Sequence, residues 1–255
     1  MSSRAGADSA RPMATPGGHS FYTTRMRISK KLDNKDYIMQ QQMYRNYLLS
    51  LIGLLLVYSA LFLFVDKPVA YAIHDTSLPA LTKFSKYISY LGEYVLWFII
   101  SVVGLLLIYF KIAEKYLSAV NIAKCTYVFS SILLAIIIGA GIKFILARYR
   151  PELLFTEGLY GFHFFSAKSI MNSTPSGHAF CIFAVCTSLS ILFRRYTLLF
   201  FTIAILIGVS RIILLKHYVS DVVLGTYIGI IVALIMQPQY RWYMWVNTMM
   251  RVKVK

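Results

Sequence analysis

Apolar residues fall in six long runs separated by short polar stretches, at about 48–65, 91–110, 125–146, 177–193, 197–215 and 221–236. Each run approaches the roughly 20 residues that an α-helix needs to cross about 30 Å of hydrocarbon. The pattern therefore predicts an all-α, polytopic membrane protein with six transmembrane helices, and an even number of crossings puts both termini on one side. The fourth and sixth runs are short, and the sixth carries Gly225 and Gly229 four residues apart, a spacing that permits close helix packing. Ahead of the first run the chain is polar, and the stretch RMRISKKLDNKDYIMQQQMYRN predicts an interfacial helix or a solvated lead-in. The expected organisation is an N-terminal tail over 1–47, a membrane domain over 48–236 and a basic C-terminal tail over 237–255.

Composition strengthens this reading and adds an orientation. Of the 255 residues, 58% are hydrophobic, and the mean hydropathy of +0.63 lies well above that of a soluble domain. With six crossings, segments 1–47, 111–124, 194–196 and 237–255 share one face and hold 17 of the 26 Lys and Arg residues. The positive-inside rule makes that face, and both tails, cytoplasmic. A net charge of +16 would also suit nucleic acid, but the cations are divided between two membrane faces and form no continuous binding tail. Anionic lipid headgroups are the simpler partner, and no nucleic acid is expected. No apolar core followed by a small-residue cleavage site opens the chain, so the first span is expected to direct insertion itself. Cys125, Cys181 and Cys186 lie in or at the ends of the runs without metal-ligand spacing and read as small core residues.

The chemistry is concentrated in three segments: KFILARYRP from Lys143 to Pro151, PSGH from Pro175 to His178, and SRIILLKHYVSD from Ser210 to Asp221. Alternating helix direction brings all three to one membrane face, because the third and fifth runs finish where the fourth begins. A charge beside hydrocarbon is costly unless it lines a cavity or meets a counter-charge, so Lys143, Arg150 and Arg211 together imply an anion. Positions 217 and 221 share a helical face, and a carboxylate that accepts from one imidazole nitrogen leaves the other as a nucleophile. The bland alternatives are an interfacial His217 beside a capping Asp221, and a satisfied core histidine at position 178.

These segments resemble the signature of the type 2 phosphatidic acid phosphatase family, which includes bacterial membrane lipid phosphatases and vanadium haloperoxidases. That signature is K, six residues, RP; then PSGH; then SR, five residues, H, three residues, D. All three elements are present without a departure. The resemblance implies that His217 attacks phosphorus and forms a phosphohistidine, with Asp221 as its orienting carboxylate. It further implies that His178 protonates the leaving group and later deprotonates the hydrolytic water. By the same resemblance Lys143, Arg150, Arg211, Ser176 and Gly177 bind phosphate. The alternative role of Ser176 is to cap the helix it precedes, and Ser210 either supports the phosphate site or equally bonds its own helix backbone. Arg148 and Lys216 lie beside the signature without being fixed positions in it. His163 sits in an aromatic loop, YGFHFFSAKSIMNS, which suits either interfacial anchoring or lipid admission.

The resemblance implies hydrolysis of a lipid phosphomonoester or pyrophosphate at the outer face of a bacterial inner membrane, with no metal and no cofactor. Candidate substrates are anionic phospholipids such as phosphatidate or phosphatidylglycerol phosphate, undecaprenyl pyrophosphate, and lipid A. A lipid A 1-phosphatase or phosphotransferase is the narrower alternative, since a phosphohistidine can react with a lipid alcohol as well as with water. A non-enzymatic lipid-binding or transport component is the alternative from another class. The six-span layout disfavours a haloperoxidase.

Overall fold

The computed structural model describes residues 41–76 and 79–252, apart from the side chains of 239 and 241–252. The expected interfacial helix lies largely outside the described residues. Residues 41–53 form a helical unit of their own, and residues from 54 onward form a second unit, which carries the chemistry. In the second unit the chain runs through α1 (54–75), α2 (Pro79–Ser89), α3 (Tyr94–Tyr109), α4 (Ala119–Leu146), α5 (Pro151–Glu157), α6 (Gly177–Leu192), α7 (Thr197–Ile213) and α8 (Val219–Val252). Among the described residues there is no strand, only an isolated bridge between Arg148 and Phe162.

Among the described residues, five helical stretches are long and apolar enough to cross a membrane: Gln41–Asp75, Pro79–Tyr109, Ala119–Leu146, Arg194–Ile213 and Val219–Pro238. The shorter α6 is the sixth apolar helix, and the chain is an integral membrane protein. Several boundaries lie beyond the apolar runs, the second stretch beginning at Pro79 rather than near 91. The first helix continues beyond residue 65 to Asp75, because Asp66 and Lys67 find partners: Asp66 accepts from Arg148, and the Lys67 ammonium lies 4.6 Å from the centre of the Tyr160 ring. The last helix continues through Pro238 to Val252, well past the apolar stretch.

α6 occupies the middle of the bundle and packs against α4, α7 and α8. Its sixteen residues are buried almost throughout, so it is apolar on all sides and has no hydrophobic stripe. Phe180, Phe183 and Val185 meet Ile132 and Ile136 of α4, Ala204 and Ile207 of α7, and Ile228 and Val232 of α8. Lipid tails are as apolar as these side chains, so close van der Waals fit has to hold the helices together. Gly225 and Gly229 supply that fit. A Cβ on Gly225 would stand 2.8 Å from the Ser176 carbonyl oxygen, and one on Gly229 would stand 2.5 Å from that of Phe180. This contact sets the first turn of α6 directly against α8, which fixes one wall of the site.

Candidate active site

Local chain signals place each motif residue. Lys143 lies in the last turn of α4, which ends as Ala147 takes φ of 41°. Pro151 opens α5, and its ring disfavours helical geometry in the residue before it, so Arg150 is extended at φ −76° and ψ 160°. The chain thus turns back at once, as the spacing from Lys143 to Pro151 suggests. Ser176 is the N-cap residue of α6, Arg211 stands in the last turn of α7, and His217 follows in the connection to α8.

Lys143, Arg150, Gly177, His178, Arg211 and His217 line one pocket of about 220 Å³, completed by Tyr94, Ala167, Ser169 and Asn172. Three cations therefore share a small cavity. The Lys143 ammonium donates to the Asn172 carbonyl at 2.8 Å, and Arg211 donates through Nη1 to the Ser89 hydroxyl. The Nε atoms of Arg150 and Arg211 are buried and make no hydrogen bond with any described residue. Buried guanidinium donors of this kind call for an acceptor, and a tetrahedral oxyanion provides several.

Asp221, Ser176 and Ser210 do not line this pocket. The Ser176 amide donates to the Asp221 carbonyl at 2.9 Å, so it is committed to α8, while its hydroxyl makes no hydrogen bond with a described residue. The Ser210 hydroxyl donates to the Ile207 carbonyl at 2.6 Å, the backbone alternative foreseen for it.

The pairing expected between His217 and Asp221 is replaced by an indirect one. His217 Nδ1 lies 2.7 Å from the Ser173 carbonyl oxygen but 3.9 Å from Asp221 Oδ2. A carbonyl only accepts, so Nδ1 carries the proton and Nε2 keeps its lone pair. The physical reason is competition for the carboxylate. Asp221 already accepts from Arg148 Nη1 at 2.6 Å, from the Tyr218 amide at 2.9 Å and from the Ser173 hydroxyl. It holds Ser173, and Ser173 holds the imidazole. Burial first, and then the charges of Lys143, Arg211, Arg150 and His178, push His217 well below the ordinary imidazole value. Both effects favour the uncharged ring.

Several residues at the site carry no signal in the three motifs. Glu93 Oε2 lies 3.3 Å from His178 Nε2, in the joint between α2 and α3. Arg148 is fully buried and donates to both Asp66, at 2.8 Å, and Asp221. The rings of Tyr218 and Phe62 flank its guanidinium at 4.2 and 4.7 Å. Burial lowers the affinity of Arg148 for its proton, but Asp221, Tyr58 and Asp66 outweigh burial and raise it, so the guanidinium stays charged. Asp66 and Glu93 each stand at the edge of an apolar run, where a carboxylate looks like a solvated boundary. The signal that could have singled them out is scarcity, since the chain has ten acidic residues in all. Among the described residues no cluster of three or more His, Cys, Asp or Glu side chains is placed to hold a metal ion.

The chain is similar to several known proteins. Residues 124–245 match the family model described as the PAP2 superfamily. A lipid A 1-phosphatase of Rhizobium etli is 31% identical over 103 residues, which cover 40% of this chain and 44% of that protein. The chain thus spans less than half the length of this curated relative. Two crystal structures are also similar. That of Aquifex aeolicus LpxE is 25% identical with a TM-score of 0.49, over 68% of this chain and 95% of that one. The first transmembrane PAP2 type phosphatidylglycerolphosphate phosphatase from Bacillus subtilis is 18% identical with a TM-score of 0.48, over 74% of this chain and 92% of that one.

Proposed function

We propose that this chain, which belongs to the PAP2 superfamily through residues 124–245, hydrolyses a lipid phosphomonoester or pyrophosphate through a phosphohistidine on His217. The observation that carries this reading is His217, tied through Nδ1 to the Ser173 carbonyl, on the wall of a small pocket that it shares with Lys143, Arg150 and Arg211. Lys143, Arg150 and Arg211 hold the equatorial phosphoryl oxygens as charge develops. His217 Nε2 attacks phosphorus while the bond to the leaving oxygen breaks, and His178 gives that oxygen a proton. His178 then takes a proton from water as the water oxygen attacks the phosphohistidine, releasing inorganic phosphate and restoring His217.

The distribution of basic residues supports an orientation in which both tails are cytoplasmic and the pocket opens at the outer face of a bacterial inner membrane. The substrates that suit the site are phosphatidate, phosphatidylglycerol phosphate, undecaprenyl pyrophosphate and lipid A. The similarity to a protein named lipid A 1-phosphatase favours lipid A as the narrower reading.

The test is inorganic phosphate release by purified protein in detergent with EDTA across these four lipids, for wild type and His217→Ala. The expected outcome is release by wild type from one class of lipid in the presence of chelator. Release is abolished by His217→Ala, and Arg211→Ala lowers kcat by about 100-fold or more, the usual effect of removing one oxyanion donor. Lipid binding without release by wild type would favour the non-enzymatic reading, and release that survives His217→Ala would remove the histidine from the mechanism.

A further inference from the structure

Asp66 is a carboxylate inside an apolar helix, 1% exposed. In a membrane-spanning stretch such a residue is expensive and points to a function. The α-helix gives way to a π-turn at Leu61–Val65 immediately before it, and single π-turns within helices concentrate at functional sites because the extra residue resets the face on which the next side chains emerge. Two independent features of α1 thus converge on one residue, which lies outside residues 124–245.

The contacts of α1 explain why. Asp66 Oδ2 accepts from Arg148 Nη2 and from the Ser220 hydroxyl, and Oδ1 accepts from the Ser220 amide at 3.0 Å. Arg148 belongs to the first motif segment, and Ser220 belongs to the third. One helical turn or two earlier, Phe62 O accepts from the Tyr160 hydroxyl, and the Tyr58 hydroxyl meets Thr174 Oγ1 at 3.2 Å, directly ahead of the PSGH segment. α1 therefore touches the first and third motif segments, and the residue directly ahead of the second, through polar groups. The continuous line runs from Asp66 through Arg148 to Asp221, from Asp221 to the Ser173 hydroxyl, and from the Ser173 carbonyl to His217 Nδ1. Two carboxylates and one guanidinium, all fully buried, leave one negative charge in excess behind the nucleophile. That charge opposes the field of Lys143, Arg150 and Arg211 at the moment when attack makes the His217 ring cationic.

We propose that Asp66 is a positioning residue for the reaction at His217, acting through Arg148 and Asp221 to orient the imidazole and to stabilise its cationic form. The inference rests on the phosphatase reading above. Asp66→Asn keeps the shape and an acceptor for Arg148 but removes the charge, and Ser220→Ala loosens Asp66 without leaving a buried ion unpaired. The expected result is a kcat for Asp66→Asn about tenfold or more below wild type, in the range seen when outer partners of a functional histidine are removed. KM and the inhibition constant for inorganic phosphate stay within about twofold, because the three pocket cations are untouched. Ser220→Ala shifts kcat in the same direction by a smaller factor.

A purely structural role would weaken phosphate inhibition and kcat together, or would leave kcat per folded molecule unchanged, and either result overturns the proposal. Should Asp66→Asn not fold, Ser220→Ala decides alone. Failure of the phosphatase reading would show separately, as absence of release by wild type. In that event the Nδ1 proton and imidazole nitrogen NMR signals of His217 read the same coupling without turnover. They move in Asp66→Asn, or in Ser220→Ala, if the line exists, and unmoved signals overturn it.

Discussion

The two histidines of the pocket are held by different kinds of group, and the difference bears on the tasks proposed for them. His217 is bonded to a neutral carbonyl and buried among cations, which favours the uncharged ring required of a nucleophile. His178 Nε2 stands 3.3 Å from the Glu93 carboxylate, a counter-charge for the ring when it holds the proton that the proposed acid gives. Glu93→Gln keeps an acceptor at the same distance and removes only the charge. Because the Glu93 side chain is 41% exposed and screened by solvent, the expected loss is modest: kcat for an alkyl phosphate falls about fivefold, equivalent to roughly 1 kcal/mol. An aryl phosphate, whose leaving oxygen needs no proton, is cleaved as by wild type, and an equal loss on both substrates would rule out this role. His217 yields a pH prediction. Its folded value lies below the unfolded one of about 6.5, so folded and unfolded chains bind the same number of protons above pH 6.5. Below it the unfolded chain takes up a proton that the folded one refuses. The contribution to stability is therefore complete above about pH 6.5 and is lost as pH falls towards the folded value. Histidine NMR across pH 8 to 5.5, assigned with His217→Gln, is expected to show the His217 ring staying neutral throughout. At this scale the sequence spacing made Lys143, Arg150, His178, Arg211 and His217 legible, because those side chains meet at one cavity. It did not disclose Glu93, Asp66 or the indirect hold of Asp221, because those depend on which distant segment is adjacent, and Arg148 occupies a position that the signature leaves open.

Helix contacts decide how rigidly that cavity is built, and the closest contact is α6 on α8. Gly225→Ala places a methyl 2.8 Å from the Ser176 carbonyl and 2.9 Å from Ala179 Cβ. Backbone cannot rotate away, so the first turn of α6 has to move, and Gly177 and His178 move with it. The expected outcome is an unfolding midpoint in detergent lowered by several degrees, the effect of about 1–3 kcal/mol of overpacking, together with reduced kcat. Gly141→Ala in α4 is the control. Nothing lies within 4 Å of its added methyl, and alanine is favoured over glycine in a helix by about 0.8–1.0 kcal/mol, so the midpoint holds or rises. Equal effects of the two substitutions would mean that helix propensity, not the α6 and α8 contact, sets the stability. The Gly225 and Gly229 spacing announced this contact. The length of α6 was legible too, since the apolar run at about 177–193 closes within a residue of Leu192, but its place in the middle of the bundle was not, because the apolar run of a helix surrounded by other helices looks like any other span.

Over the whole molecule, function depends on which side of the membrane the pocket faces, and α4 sets the geometry of that question. Its 28 residues rise about 42 Å at 1.5 Å each, more than the roughly 30 Å of hydrocarbon. Its two ends therefore emerge on opposite faces. Lys143 and the pocket mark one end, and Ser118, which accepts from the Asn121 amide at the first turn, marks the other. The positive-inside rule assigns the Ser118 end to the cytoplasm, in company with Lys111, Lys115, Arg194 and Arg195. Single cysteines at the exposed positions Lys168 and Glu114 test the assignment in a background where Cys125, Cys181 and Cys186 are replaced. A membrane-impermeant maleimide is expected to label Lys168→Cys in intact spheroplasts and Glu114→Cys only after the membrane is opened. The reverse pattern would turn the pocket towards the cytoplasm and restrict its substrates to lipid phosphates of the inner leaflet. The chemistry at His217 would be unchanged, because the pocket is assembled within one chain and carries no element that depends on the side it faces.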